Sequence, residues 1–250
     1  MKMSNNDLLQ YSKQIILKQV GILGQKKISS TKVLIVGMGG LGCPLGLYLS
    51  SLGINNIDIA DHDKVDISNL NRQILFNTSD VGKFKVIQAK KFLQKINKKI
   101  NINIYKEKII KKNIQSIICK YDIICDCTDN FTTRYLLNDF CLKNKKILIS
   151  AAISKFEAHI FNFNFSKNIP CYRCFMPEMP EGDNKCDAEG ILPTVAGIAG
   201  TLQANEVVKS IVNKKNELVG KMIVFNTLNL NFRKIKLTKN TNCIMGCGKK

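Results

Sequence analysis

The feature that most constrains this chain is the stretch over residues 32–52. Lys32–Gly37 (KVLIVG) is a continuous apolar run closed by glycine, Gly37-Met38-Gly39-Gly40-Leu41-Gly42 follows at once, and a helical stretch runs from about Leu41 to Leu52. An apolar run without alternation, bounded by glycine, is what a strand buried on both faces of a parallel sheet requires. GxGxxG between such a strand and a helix permits a tight turn, lets backbone amides approach a phosphate, and sets a helix N-terminus with partial positive charge behind it. Asn56–Asp61 (NIDIAD) supplies the next strand. Asp61 ends it about 20 residues on, where this fold places a ribose-binding carboxylate. A nucleotide-binding βαβ unit is expected.

The rest of the first half keeps the alternation. Lys83 to about Asn97 has helical spacing, Asn101–Tyr105 is a short strand, Tyr121–Cys127 another, Phe131–Lys143 a helix and Ile147–Ala152 a strand. This order predicts an α/β fold with a doubly wound, Rossmann-like, mostly parallel sheet. Glu157–Phe165 and Lys221–Leu237 instead alternate apolar and polar residues, so antiparallel strands should extend the sheet around a helix over Pro193–Val212. Ser4 to about Val20 reads as one amphipathic opening helix bearing Leu8, Leu9, Ile15, Ile16 and Val20 and ended by Gly21 and Gly24, and Pro177–Glu189 reads as a long loop. A single domain over 1–250 is expected in three parts: a helical segment over 1–30, a nucleotide-binding, Rossmann-like part over 31–152, which the resemblance described below makes ATP-binding, and a third part over 153–250.

The charge balance of 38 Lys and Arg against 19 Asp and Glu, net +19, invites a nucleic-acid reading through phosphate contacts. Its makeup argues otherwise. Only Arg72, Arg134, Arg173 and Arg233 are arginine, and the lysines are dispersed without interleaved aromatic residues on which bases could stack. The charge is read as a solvated surface, with nucleic acid set aside. In a chain this committed to lysine, each retained arginine points to planar or bidentate recognition. No apolar run reaches the roughly 20 residues of a spanning helix. Met1–Gln14 lacks an apolar run backed by a cleavage site, so a cytoplasmic protein off the membrane is expected. Its ten cysteines are then thiols, metal ligands or catalytic groups, with Cys43, Cys119, Cys125, Cys127 and Cys141 serving as small core residues.

Two cysteine pairs, Cys171/Cys174 in CxxC and Cys243/Cys247 in CxxxC, have metal-ligand spacing. They read as a closed tetrahedral Zn2+ site pinning the tail to the core, with free thiols or a redox pair as the alternative. Taken singly, Lys85 is an ordinary surface lysine, and Asp129-Asn130 is a helix cap for Phe131 onward as readily as a functional pair.

Together, GMGGLG over 37–42, Asp61-His62-Asp63, Ser68-Asn69-Leu70-Asn71-Arg72-Gln73, Gly82-Lys83-Phe84-Lys85, Cys127-Thr128-Asp129-Asn130 and Cys171-Tyr172-Arg173-Cys174 resemble the ThiF/MoeB/HesA family, bacterial relatives of ubiquitin-activating enzymes, from about Leu8 to Gly248. The resemblance implies an adenylyltransferase that activates the C-terminal glycine carboxylate of a small ubiquitin-like sulfur carrier, ThiS-like or MoaD-like and ending in Gly-Gly. ATP with Mg2+ is consumed and pyrophosphate released, for thiamin or molybdopterin synthesis. It also implies a homodimer, a carrier-docking role for the part over 153–250, a structural Zn2+ and, with no rhodanese segment present, a separate sulfur donor.

The residue chemistry suits that reaction. An attacking carboxylate is already an anion and needs no general base, so neither His62 nor His159 is required, and the task is positioning and charge neutralisation. By resemblance Arg72 and Lys85 contact the phosphates, Asp129 associates with Mg2+ and Asp61 binds the ribose. Gly37, Gly39, Gly40, Gly42, Asp63, Asn69 and Asn130 complete the nucleotide-binding set. Lys13 departs from the pattern: it stands where the family carries an arginine that reaches the partner subunit's ATP, and lysine keeps the charge but loses the planar fork. Cys186 matches the family's crossover-loop cysteine, which bonds to the carrier in some members and is dispensable in others. Asp183 and Asp187 beside it disfavour a thiolate, and both roles stay open. An NAD-dependent oxidoreductase would share the glycine turn and Asp61 but leaves Arg72, Lys85, Asp129 and the four cysteines unexplained. A non-catalytic adaptor or pseudoenzyme of the same family would keep the fold and dimer but lose the nucleotide chemistry, against which the retained core set argues, and a tRNA-modifying relative would bind RNA with steep salt dependence.

Overall fold

A computed structural model describes residues 3–180, 190–212 and 216–247. Eight strands, β1 (Lys32–Val36), β2 (Asn56–Ala60), β3 (Ile104–Tyr105), β4 (Ile123–Asp126), β5 (Ile147–Ser154), β6 (Glu157–Asn164), β7 (Lys221–Asn226) and β8 (Asn231–Lys236), form one sheet in the order β3-β2-β1-β4-β5-β6-β7-β8. The pairings from β3 through β5 are parallel and those from β5 through β8 antiparallel. The strand order reverses between β1 and β4, and in open α/β sheets the crevice beyond the carboxyl ends at such a switch point is where ligands bind.

The helices are α1 (Asn5–Gln10), α2 (Ser12–Ile15), α3 (Gly21–Ser30), α4 (Gly42–Ser51), α5 (Lys85–Ile96), α6 (Ile114–Ile118), α7 (Phe131–Lys143), α8 (Tyr172–Phe175) and α9 (Pro193–Val212). Alternate residues of β1 serve the two faces. Val33 and Ile35 join a core with Ile28 of α3, Leu45 and Leu49 of α4, Leu93 of α5 and Val207 of α9. Leu34 and Val36 join another with Ile118 of α6, Leu137 and Phe140 of α7 and Tyr172 of α8. Each such fully buried side chain contributes about 1.5–3 kcal/mol, so both faces of the parallel strands are anchored.

The N-terminus corrects the expected single helix over Ser4–Val20. Ser4 caps α1 in a box with Asp7, but the chain breaks at Tyr11, and Gly21 opens α3 rather than closing a helix. The break has a packing cause: Tyr11 is buried, and a Cβ on Gly53 would lie 2.6 Å from its ring, so the residue plugs a socket that only glycine leaves open. Leu9, Ile16, Leu17, Ile22 and Leu23 consequently face outward. Cys119 is likewise corrected: it caps the end of α6 and is exposed, whereas Cys43, Cys125, Cys127 and Cys141 are buried as expected. No helix among the described residues is long and apolar enough to cross a membrane.

Candidate nucleotide-binding cleft

A cleft open to solvent lies at the carboxyl ends of the parallel strands. The glycine turn forms one wall. Gly37 has φ +92°, and a Cβ there would lie 2.7 Å from the Cys127 carbonyl, so the turn passes directly over the end of β4. Asp61 fixes that turn from the side. Its Oδ2 accepts from the Met38 N–H at 2.6 Å and its Oδ1 from the Asp63 N–H at 2.8 Å. Burial pushes the Asp61 carboxyl above its ordinary pKa, against the Lys85 charge and those two N–H donors. Each oxygen keeps lone-pair capacity for a further donor, such as a ribose hydroxyl.

Two cations face the same space. The Lys85 side chain is 8% exposed and its ammonium is held 2.9 Å from Asp63 Oδ2, while the Asp63 side chain is half exposed. The Lys85 N–H also donates to the Asp63 carbonyl at 3.0 Å, so backbone and side chain together aim the lysine. Arg72 lies across the glycine turn, with a Cβ on Gly40 3.5 Å from its Cγ and Cδ. Its Nη1 donates to the Ser68 carbonyl at 2.9 Å and to Asn71 Oδ1 at 3.1 Å, and it makes no ion pair among the described residues.

Asp129 and Asn130 divide the labour that the sequence left open. Asn130 is the N-cap of α7, its Oδ1 accepting from the Thr133 N–H at 2.9 Å. The Asp129 carboxylate is thereby released from capping and stands exposed in the cleft. Beneath it, Asp126 is wholly buried and accepts four hydrogen bonds, from Thr128 N–H at 3.0 Å, Thr128 Oγ at 2.6 Å, Ser150 Oγ at 2.6 Å and Arg134 Nε at 3.0 Å. Arg134 Nη2 donates onward to the Thr128 carbonyl at 2.7 Å and the Ala151 carbonyl at 2.9 Å. Cys127 also lines the cleft, but burial pushes its pKa well up, leaving a neutral thiol that donates to Gln203 Oε1 at 3.4 Å.

Gly37, Gly39, Gly40, Asp61, Asp63, Arg72, Lys85, Asp129 and Asn130 therefore share one cleft. Three other expected nucleotide-binding residues do not line it. Gly42 begins α4, Asn69 is spent on a single-turn cap in which its Oδ1 accepts from the Asp66 N–H at 3.4 Å, and Lys13 is exposed on α2. Cys186 lies outside the described residues. Sequence reasoning missed the Asp126 anchor, and gave Gln73, which also lines the cleft, no role of its own. The retained Arg134 was the available signal for the first.

The model of the ThiF family matches residues 11–245. The chain belongs to the ThiF family. It is similar to the adenylyltransferase and sulfurtransferase MOCS3 of Culex quinquefasciatus, 40% identical over 246 residues that cover 97% of this chain and 56% of that protein. The MOCS3 of Dictyostelium discoideum is 39% identical over 249 residues, covering 98% of this chain and 58% of its own length. The chain thus spans little more than half the length of these relatives. A crystal structure of E. coli MccB with MccA-N7isoASN matches with a TM-score of 0.84 at 24% identity, covering 99% of this chain and 76% of that one, which establishes a shared fold.

This ThiF-family chain also gathers Cys171, Cys174, Cys243 and Cys247, whose sulfurs all lie within 4.8 Å of one another. Cys171 Sγ is 4.0 Å from Cys174 Sγ and 3.7 Å from Cys243 Sγ. Those spacings are far too long for a disulfide and match the roughly 3.8 Å edge of a tetrahedron built on Zn–S bonds of about 2.3 Å. The extra residue in CxxxC is absorbed by a turn in which the Gly246 N–H donates to the Cys243 carbonyl at 2.8 Å and Gly246 takes φ +73°.

Proposed function

We propose that this chain adenylylates the C-terminal glycine carboxylate of a ubiquitin-like sulfur-carrier protein, ThiS-like or MoaD-like, using ATP with Mg2+ and releasing pyrophosphate. One observation carries the reading: the glycine turn, Asp61, Arg72, Lys85 and Asp129 converge on a single cleft, a set that an oxidoreductase does not need. A carboxylate oxygen of the carrier attacks the α-phosphorus, the bond to the bridging oxygen of the β-phosphate breaks, and pyrophosphate leaves with the electron pair. No proton moves, which fits a cleft whose one histidine, His62, sits beside Asp63 at the rim.

The side chains hold and neutralise. Arg72 and Lys85 bind phosphate oxygens, the ammonium exchanging Asp63 for a more highly charged partner, and Asp61 orients the ribose. The freed, exposed Asp129 carboxylate suits a hard cation that takes one or two carboxylates and completes its shell with phosphates and water. Bound there, Mg2+ would screen the phosphate charge. The four sulfurs suit a structural zinc for the same geometric reason given above.

The outward Leu9, Ile16, Leu17, Ile22 and Leu23 support a homodimer, with Lys13 on the same segment directed to the partner subunit's nucleotide rather than its own. The nine described cysteines are free of disulfides, which supports a cytoplasmic setting. Exchange of labelled pyrophosphate into ATP, with each purified carrier offered in turn, tests the activity and identifies the carrier. Exchange that is independent of any Gly-Gly-ending carrier would refute it.

A further inference from the structure

Gln73 closes the Ser68–Gln73 motif and has no role in the cleft as so far described. It lines the cleft beside Arg72 and is 3% exposed. Its side chain makes no hydrogen bond among the described residues, and its Oε1 is fully buried without a partner. Its Nε2 points to the glycine turn, 3.8 Å from where a Cβ on Gly39 would stand. The Gln73 N–H donates to the Asn69 carbonyl at 2.9 Å, so the backbone fixes where the side chain starts.

A buried carbonyl oxygen left unpaired costs more than a typical hydrogen bond gains, and native proteins satisfy nearly all such groups. An orientation that strands the acceptor inside while presenting two N–H donors at the phosphate-cradling turn suits an anion. We propose that Gln73 is a ligand-contacting residue whose carboxamide donates to an oxyanion bound at the Gly39 turn, a phosphate of the nucleotide or the carboxylate that attacks it. The inference rests on the adenylylation reading of this cleft. A neutral donor supplies a charge-assisted hydrogen bond without adding to the repulsion between Arg72 and Lys85.

Gln73→Leu removes both polar atoms at similar volume. Three quantities decide the matter: the melting temperature, the affinity for a non-hydrolysable ATP analogue, and the carrier KM in pyrophosphate exchange. The expected result is a melting temperature at or above wild type, because the stranded carbonyl is gone, with an affinity loss of about tenfold or more. A loss in analogue affinity assigns the oxyanion to phosphate; a loss confined to the carrier KM assigns it to the carboxylate. Gln73→Glu, which sets one anion against another, should lose more than Gln73→Leu. A lower melting temperature for Gln73→Leu, or wild-type values for both ligands, overturns the proposal while the adenylylation reading stands. Wild-type protein that binds no analogue overturns both.

Discussion

Arg134 Nε lies 3.0 Å from Asp126 Oδ2 beneath the floor of the cleft, and neither side chain is open to solvent. The pair joins the end of β4 to the first turn of α7, and through the Ala151 carbonyl to β5. Charges withdrawn from water this far persist only where attraction and hydrogen bonds together offset desolvation, and Asp126 has all its neighbours arranged for that. The Thr128–Asp129 corner is held by this arrangement rather than by its own few contacts.

Breaking one side of the pair should therefore be costly. Arg134→Leu leaves an uncompensated buried carboxylate and is expected to lower unfolding free energy by about 3–5 kcal/mol in urea titrations. Adding Asp126→Asn removes the charge and should restore part of the loss. Equal and additive penalties in the two single variants would show that the residues do not act as a pair.

Lys85 offers the opposite case, a cation whose partner Asp63 is half exposed. Lys85→Ala should leave the melting temperature within a few degrees of wild type yet lower the pyrophosphate exchange rate about 10²-fold or more, as expected for a lost charge at the phosphates. Matching losses of stability and activity would make the lysine structural instead.

The parallel half of the fold was legible because its signals are local: unbroken apolar runs between glycines, and a Gly37–Gly42 turn with few conformational solutions. Helix α9 over Pro193–Val212 and helix α7 over Phe131–Lys143 match their sequence limits, the first opened by proline and the second by the Asn130 cap. The N-terminal segment was not legible, since periodicity in Leu8, Leu9, Ile15 and Ile16 says that a face is apolar but not what covers it. Arginine usage was a partial guide. Arg173 is bidentate, at 2.7 and 2.8 Å to Asp139, and Arg134 bridges buried groups, but both serve architecture, while Arg72 alone of the three stands without an acidic partner in the cleft. Nothing in a linear motif separates those uses, because each partner is fixed only when the sheet and its helices assemble.

Asp7 carries a pH signature that can be read directly. The hydrogen bond from Lys99, then those from Ser4, hold its carboxyl at about 2 rather than the ordinary 3.8. Because the folded value lies below the free one, the tether of α1 to Lys99 contributes at pH above about 3.8 and is lost as pH falls toward 2. Carboxyl NMR should show the Asp7 midpoint near 2, and Lys99→Ala should move it up toward 3.8. A midpoint already at 3.8 in the wild type would mean that the tether does not form in solution.

The cysteine cluster makes the last prediction, and its geometry sets the terms. Cys171 is the N-cap of the short helix α8 and Cys174 lies within it, while Cys243 and Cys247 follow β8, so a metal at their centre would cross-link segments about 70 residues apart. In the unfolded chain no such site exists, so metal-binding free energy becomes folding free energy. Protein purified without chelator should carry about one zinc per chain, released on denaturation. Cys171→Ser, or chelator applied under mild denaturant, should lower the melting temperature and expose the segment after Leu237 to protease. The cleft at the ends of β1, β2, β4 and β5 should keep any affinity it has for an ATP analogue. Folded protein free of metal, with the tail still protected, would show that packing alone holds the four sulfurs together.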